Sequence, residues 1–299
     1  MRSFHSEPNR RRVLVVGDEC PLVESVARRL HEAGLAVEAI EPASPSLAHA
    51  VRSHTDVVNL VRVLDPPSGS IGHGLRFSRR RHRRKTLATL AEALATAPTA
   101  RLVQRSSSSL YSDGGDAWID EGWPVESNSA TREVTLAERL AALHRQRGGT
   151  AVVIRLAPLA ETEDHHSDPR RTLARRGWEP FEGPPDAYFP LVRLADAANA
   201  FVAALEAPSA TFNVASAELY TNRELNAHYS NLVTRRLEPL YSSVRRADRA
   251  LLDRSHRLNT SAFRHATAWQ PQPTFGSSAD TTERAMPAPP LARDPHTAK

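Results

Sequence analysis

The run Arg12-Val-Leu-Val-Val-Gly17, continued by Pro21-Leu-Val-Glu-Ser-Val-Ala-Arg-Arg-Leu-His-Glu-Ala-Gly34 and Leu35-Ala-Val-Glu-Ala-Ile-Glu41, decides how this chain folds. Its first part is a block of branched aliphatics ending in glycine, the pattern of a strand buried on both faces. In the second part Leu22, Val23, Val26, Ala27 and Leu30 recur at helical spacing, and Gly34 stands where a helix stops. Pro21 suits a first helical turn, where its missing N–H is no loss. The third part reads as a strand closing on an acid. Strand, glycine turn, helix and strand together make a βαβ unit with parallel strands.

Outward from this unit the alternation continues. A short helix is expected over Ser46 to Ser53, a strand over Asp56-Val-Val-Asn-Leu-Val61, a helix over Thr86 to Ala97 and a strand over Ala100 to Gln104. That last strand runs into Ser106-Ser-Ser-Ser109. A long amphipathic helix, Thr131 to Arg147, ends at Gly148-Gly149 and leads into the strand Thr150 to Arg155. Strands alternating with helices predict an α/β fold with a mostly parallel sheet. Beyond residue 160 the texture changes to loops rich in Pro, His and charge. A helix over Leu194 to Glu206 and a strand over Thr211 to Ala215 follow. Residues 277–299 lack aromatics and periodicity and read as a disordered tail.

Composition sets outer bounds. With 299 residues, 40% of them hydrophobic, the chain can bury a substantial core. No apolar run approaches the roughly 20 residues that a membrane helix needs, and the stretch before Asp18 is too short for a secretory signal. Cys20 is the single cysteine, so nothing points to an oxidising compartment, and a cytoplasmic location is the expectation. The net charge of +5 is concentrated in Arg10-Arg11-Arg12 and in the run Arg76 to Lys85. Such a run attracts phosphates, in nucleic acid or in a phosphorylated ligand. No zinc-finger spacing or RNA-binding signature accompanies it. A solvated helix face is the favoured reading, and nucleic acid is not the expected partner.

Several ordered pieces resemble the extended short-chain dehydrogenase/reductases, the NAD-dependent epimerase/dehydratase family. Arg12 to Glu41 is similar to that family's first βαβ unit, and Asp56-Val-Val-Asn-Leu-Val61 to its D-V-V-x-H-L-A strand. Ser106 to Tyr111, with Ile119-Asp-Glu121 and Pro124, resembles S-S-x-x-V-Y-G … D-E-x-x-P. Phe189 to Ala198 resembles F-x-x-V-H-V-D-D-A-A, Phe212-Asn-Val-Ala215 resembles Y-N-V-A, and Arg254 to Trp269 resembles the C-terminal R-S-x-R-V-S-N-x-R-F-R-x-A-T-G-W element. The likeness spans roughly residues 12–275. It implies a Rossmann-like doubly wound parallel sheet with a smaller C-terminal α+β substrate-side region. The division expected is a basic arm at 1–11, an NAD(P)-binding domain at 12–160, a substrate-side region interleaved with the sheet at 161–276, and the tail. It also implies NAD or NADP as cofactor, a polar metabolite such as a nucleotide sugar as substrate, and a homodimer.

The sites depart from the family. Its first turn is G-x-x-G-x-x-G, which lets the backbone approach a pyrophosphate at a helix N-terminus. Here the turn is Gly17-Asp-Glu-Cys20-Pro-Leu-Val23, with Cys20 and Val23 at glycine positions. Asp18 and Glu19 put two negative charges beside the expected phosphates, at about 1 kcal/mol each. By resemblance the cofactor would meet Gly17, Cys20, Pro21 and Leu22 on this turn, and Leu60 and Val61 after the third strand. Glu41, 24 residues after Gly17, stands where an acid would accept from an adenosine ribose, favouring NAD over NADP. The segment from Glu41 to Asp56 is too short for the family's usual third strand.

On the catalytic side the family pairs a tyrosine with a lysine four residues later, which lowers the phenol's pKa. Those positions fall on Ala130 and Val134, and no Tyr-x-x-x-Lys occurs in the chain. Ser107 aligns with the substrate-orienting serine and is the catalytic candidate that survives; Tyr111 as a surrogate acid lacks a lysine partner. Arg155-Leu-Ala-Pro-Leu-Ala-Glu-Thr resembles an R-x-x-x-x-Y-G-P loop without its tyrosine, glycine and proline. Arg193 replaces a histidine, while Asp196 is kept. His165-His166 lack a defined third ligand, so no metal is expected. No G-x-S-x-G elbow marks a hydrolase. The reading is an atypical NAD(P)-binding protein whose oxidoreductase or epimerase chemistry is impaired, or else a non-catalytic binding or regulatory protein on the same scaffold.

Overall fold

In the first strand alternate side chains leave on opposite faces: Val13 and Val15 enter one hydrophobic core, Leu14 and Val16 another. All four are fully buried, as a central parallel strand requires. A computed structural model describes residues 11–64, 73–160, 169–233 and 246–275. Six parallel strands form the sheet: β1 (Arg12–Val16), β2 (Ala36–Ile40), β3 (Asp56–Asn59), β4 (Arg101–Ser107), β6 (Ala151–Leu156) and β7 (Thr211–Val214). Their order is β2-β1-β3-β4-β6-β7, so the chain starts at β1, steps outward to β2, and then crosses to β3. The short β5 (Trp118–Ile119) pairs with β8 (Arg257–Leu258) in a separate parallel ribbon.

Helices cover both faces. On one, α1 (Pro21–Glu32) and α6 (Leu194–Ala203) pack on Val13 and Val15; on the other, α2 (Leu47–Ser53), α3 (His73–Ala95) and α4 (Arg132–Gln146) pack on Leu14 and Val16. The helix α1 starts at an extended Cys20 with Pro21 as its first residue. It ends where Gly34 takes a φ of +80°, which glycine adopts without the Cβ clash other residues meet. No strand lies between β2 and β3 among the described residues, and β2 forms the edge of the sheet. The sequence placed a helix only from Thr86, yet α3 begins thirteen residues earlier, at His73. Arginine and lysine are good helix formers, and their charges go to different faces of the helix.

The remaining helices are α5 (Pro169–Arg175), α7 (Asn222–Val233), α8 (Arg246–Leu252) and α9 (Ser261–Thr267). The strand β7 enters the main sheet beside β6, so the segment beyond residue 160 shares its core with the segment before it. A smaller cluster of Phe181, Leu191, Leu225 and Tyr229 gathers away from the sheet. No described helix is long and apolar enough to cross a membrane. Arg11 chelates the buried Asp56 carboxylate with two hydrogen bonds of 2.7 and 2.6 Å, which ties the chain entering β1 to the start of β3.

Candidate functional site

Because β2 and β3 flank β1 and their connections leave in opposite senses, a crevice opens beyond the carboxyl ends of β1 and β3, where doubly wound sheets bind ligands. A cleft of about 430 Å3 lies there. Asp18, Glu19 and Cys20 line it from the turn after β1, Leu60 and Arg62 from the end of β3, and Ser78, Arg79, His82 and Arg83 from α3. The size suits a small ligand. Arg105, at the end of β4, adds to its charge: its guanidinium donates to the Leu60 carbonyl oxygen at 3.2 Å. Burial, and then the positive charge of Arg62 and more weakly of Arg83, pulls Arg105 down to about 10.

The basic run is divided by the helical repeat of 3.6 residues. Arg79, His82 and Arg83, spaced three and four apart, face the cleft. Arg80 and Arg84, also four apart, turn to the neighbouring helix α4, where Glu133 is only 1% exposed. Arg84 reaches its Oε1 with bonds of 2.9 and 2.7 Å. Arg81 and Lys85 remain exposed to solvent. By contrast, neither Arg62 nor Arg79 on the cleft side makes a hydrogen bond or ion pair among the described residues, and the same holds for Asp18 and Glu19.

The catalytic position of the resemblance is filled differently. Val134 is fully buried in the core beneath α4, and Ala130 is buried one turn earlier. Glu138 and Arg155 form a two-point ion pair at 2.8 and 2.9 Å, and Ser106 Oγ donates to the same carboxylate at 2.6 Å. The Arg155 guanidinium lies 4.8 Å from the centre of the Tyr111 ring. The Tyr111 hydroxyl, fully buried, donates to Asn213 Oδ1 at 2.6 Å, and burial pushes its pKa up to about 12. Asn213 in turn donates to the carbonyl oxygens of Ile119 and Asn259, each at 3.1 Å. This network joins β4, α4, β6 and β7. Its phenol has an acceptor and no lysine, so it is poorly placed to exchange protons near neutrality.

The sequence candidates separate accordingly. Gly17 lies at the floor of the crevice: its N–H donates to the Ile40 carbonyl oxygen, and a Cβ there would meet Val23 Cγ2 at 2.5 Å and Leu60 Cβ at 3.4 Å. Cys20 is half-buried at the head of α1, Pro21 is exposed beside it, and Glu41 is exposed just past β2. Leu22 and Val61 are buried in opposite cores, so only their backbone borders this end of the sheet. Ser107 accepts from the Ser109 N–H at 3.2 Å, capping a short 3-10 turn. Asp196 accepts from the Gln272 N–H at 3.0 Å, and its carbonyl oxygen from the Trp269 indole at 3.0 Å; the retained acid fastens the C-terminal segment. His165 and His166 lie outside the described residues. No group of three or more metal-ligating side chains is found among the described residues. The reading of the sequence stopped at Val61 and treated the arginine run as one face. It therefore missed Arg62, Arg105 and the cleft side of α3, though the spacing of Arg79, His82 and Arg83 carried the signal.

No family model and no curated protein sequence matches the chain. Solved structures do. The UDP-glucose 4-epimerase of Thermus thermophilus, in complex with NAD, superimposes with a TM-score of 0.68 over 88% of this chain and 95% of that one, at 17% identity. DesIV, a dTDP-glucose 4,6-dehydratase from Streptomyces venezuelae with NAD and TYD bound, gives 0.70 over 92% and 95%, at 19% identity. MoeE5 in complex with UDP-glucose and NAD gives 0.70 over 88% and 94%, at 18% identity. The fold is that of the extended epimerases and dehydratases. A dinucleotide would lie over Gly17 in this fold. The turn by itself suits a pyrophosphate poorly, because Val23 fills the space against Gly17 and two carboxylates flank it. The cleft as a whole does fit one, because Arg62, Arg79 and Arg83 supply the missing positive charge from the other wall.

Proposed function

We propose that this chain is an atypical NAD(P)-binding protein on the epimerase/dehydratase scaffold, which binds a nucleotide in the crevice beyond β1 and β3 and lacks the scaffold's usual proton-transfer step. The observation that carries this reading is the contrast between two regions of the sheet. The cofactor end keeps an open, charged cleft of about 430 Å3, and the catalytic end has a fully buried valine at the lysine position. Support for NAD comes from the solved neighbours described with NAD and from Glu41, exposed at the end of β2, where a carboxylate would accept from a ribose hydroxyl and repel a 2′-phosphate.

In this reading the phosphates would be held by Arg62, Arg79 and Arg83, and Leu60 would contact the ligand's apolar surface. A bound nicotinamide supplies hydride transfer. Nothing in the network around Tyr111 supplies the accompanying proton, because the phenol is committed to Asn213 and Arg155 is committed to Glu138. Ser107 is left as a group that could orient a polar metabolite such as a nucleotide sugar. The other reading, an oxidoreductase or epimerase with residual activity, rests on Ser107 and Glu41. Titrating the full chain with NADH and NADPH, by fluorescence and calorimetry, tests both. One-to-one binding of NADH without absorbance change on adding sugar nucleotides is the expected result. Turnover of any sugar nucleotide would overturn the non-catalytic reading, and absence of binding at millimolar dinucleotide would overturn the cofactor reading.

A further inference from the structure

We propose that the outer face of α3 and α4, separate from the cleft, is a docking surface for duplex DNA, held through the phosphate backbone without regard to base sequence. Alone, the arginine run reads as a solvated helix face. The neighbouring helix changes that. Both helices start beyond the carboxyl ends of their strands and return side by side, and Arg84 meets Glu133 where α4 begins. This packing puts the exposed Arg81 and Lys85 of α3 and the exposed Arg132 and Arg139 of α4 on one outer face. Arg81 and Lys85 lie one turn apart and Arg132 and Arg139 two turns apart, so each pair shares a side of its helix. None of the four makes a hydrogen bond or ion pair among the described residues.

The acids of this region do not cancel these charges. Glu133 lies buried beneath them and balances one of its two partners, Arg80 and Arg84. Glu126, before α4, is paired with Arg254, and Glu138 with Arg155. Glu92, exposed on α3 two turns beyond Lys85, subtracts one charge. A surplus of about four positive charges is left across the two helices.

The occupant follows from what surrounds the cations. Protein partners are held around aromatic and apolar anchors and avoid lysine, and single strands stack on aromatic rings. Residues 78–95 of α3 and all of α4 contain no phenylalanine, tyrosine or tryptophan, and the exposed Leu143 sits one turn past Arg139. A second copy of the chain would set these cations against its own. Recognition of RNA duplexes runs through ribose 2′-hydroxyls, for which guanidinium and ammonium groups, being donors, offer no acceptor. Duplex DNA needs only cations placed along its phosphates.

The test is fluorescence anisotropy of the full chain with a labelled DNA duplex of random sequence, followed as a function of salt. Micromolar affinity is expected at about 50 mM salt, falling about 150-fold by about 200 mM, because about four phosphates are neutralised. Arg132→Ala/Arg139→Ala should weaken binding more than about tenfold at the lower salt and roughly halve the salt slope, and Arg81→Ala should reduce that slope by about one. Arg223→Ala, on α7, removes an exposed guanidinium that is paired with Asp186 and should change affinity by less than about twofold. All these side chains are exposed, so the variants keep the fold. DNA binding does not depend on NADH binding, so this reading and that of the crevice can fail separately. Absence of binding at about 100 μM chain and the lower salt overturns the inference, as does binding that the α4 double variant leaves intact. A single strand, an RNA duplex or polyglutamate bound more tightly than the DNA duplex names another occupant and overturns it too. So does a dimer, seen by sedimentation, that Arg132→Ala/Arg139→Ala disrupts.

Discussion

Two polar regions lie within the same sheet and treat charge in opposite ways. Around Tyr111, every charged group has a partner: Glu138 takes two bonds from Arg155 and one from Ser106, and the phenol is bonded to Asn213. Around the cleft, Asp18, Glu19, Arg62 and Arg79 have no such partners among the described residues. Buried charge must be paired because desolvation costs several kcal/mol, whereas charge open to water can wait for a ligand. The difference separates charge that holds the fold together from charge that folding leaves open to water. The network holds elements together, and the cleft is available for binding.

The harshest way to break the comparison is to place a lysine at the buried position 134. Val134→Lys buries an ammonium in the core under α4, and we expect a loss of more than about 4 kcal/mol in urea unfolding with no gain of hydride transfer. A stable, active Val134→Lys/Ala130→Tyr variant would show that the network still surrounds a working site. Removing one partner of the buried pair comes next. Glu138→Ala leaves Arg155 uncompensated and should cost about 3 kcal/mol, with NADH binding unchanged.

Tyr111→Phe has a smaller effect, about 1 kcal/mol at neutral pH, from the lost bond to Asn213. It also has a pH signature. The folded phenol's pKa, about 12, lies above the ordinary value of 10.0, so its contribution is fully present below pH 10.0 and is lost as pH rises towards 12. Stability measured across that window should fall less steeply in Tyr111→Phe than in the parent chain. The smallest stability effect belongs to the cleft: Arg79→Ala should change unfolding by less than about 0.5 kcal/mol. A large loss there would mean that Arg79 is a structural residue, and the contrast would fail.

The fold was legible because its signals are local. The aliphatic block before Gly17, the helical spacing from Leu22 to Leu30 and the acid at Glu41 each declare themselves within a few residues, and the alternation that follows repeats the pattern. The absent third strand was legible from the short link between Glu41 and Asp56. Missing groups were equally plain, since Ala130 and Val134 cannot transfer a proton in any fold. The helix α3 was read short because a charge run has no hydrophobic period to count, though its residues favour helix.

What the sequence by itself determined is therefore the parallel α/β framework and the absence of a G-x-x-G-x-x-G turn and of a Tyr-x-x-x-Lys pair. Only the tertiary structure decided which of the many arginines are spent on holding the molecule together. Arg11 meets Asp56 across 45 residues, Arg84 meets Glu133 across 49, and Arg155 meets Glu138 from a neighbouring element. A hydrophobic period is set by the backbone geometry of its own segment, but a charge is neutralised by whatever the fold brings within a few ångströms. Arg62 and Arg79 became candidates for binding only once that pairing had been worked out around them.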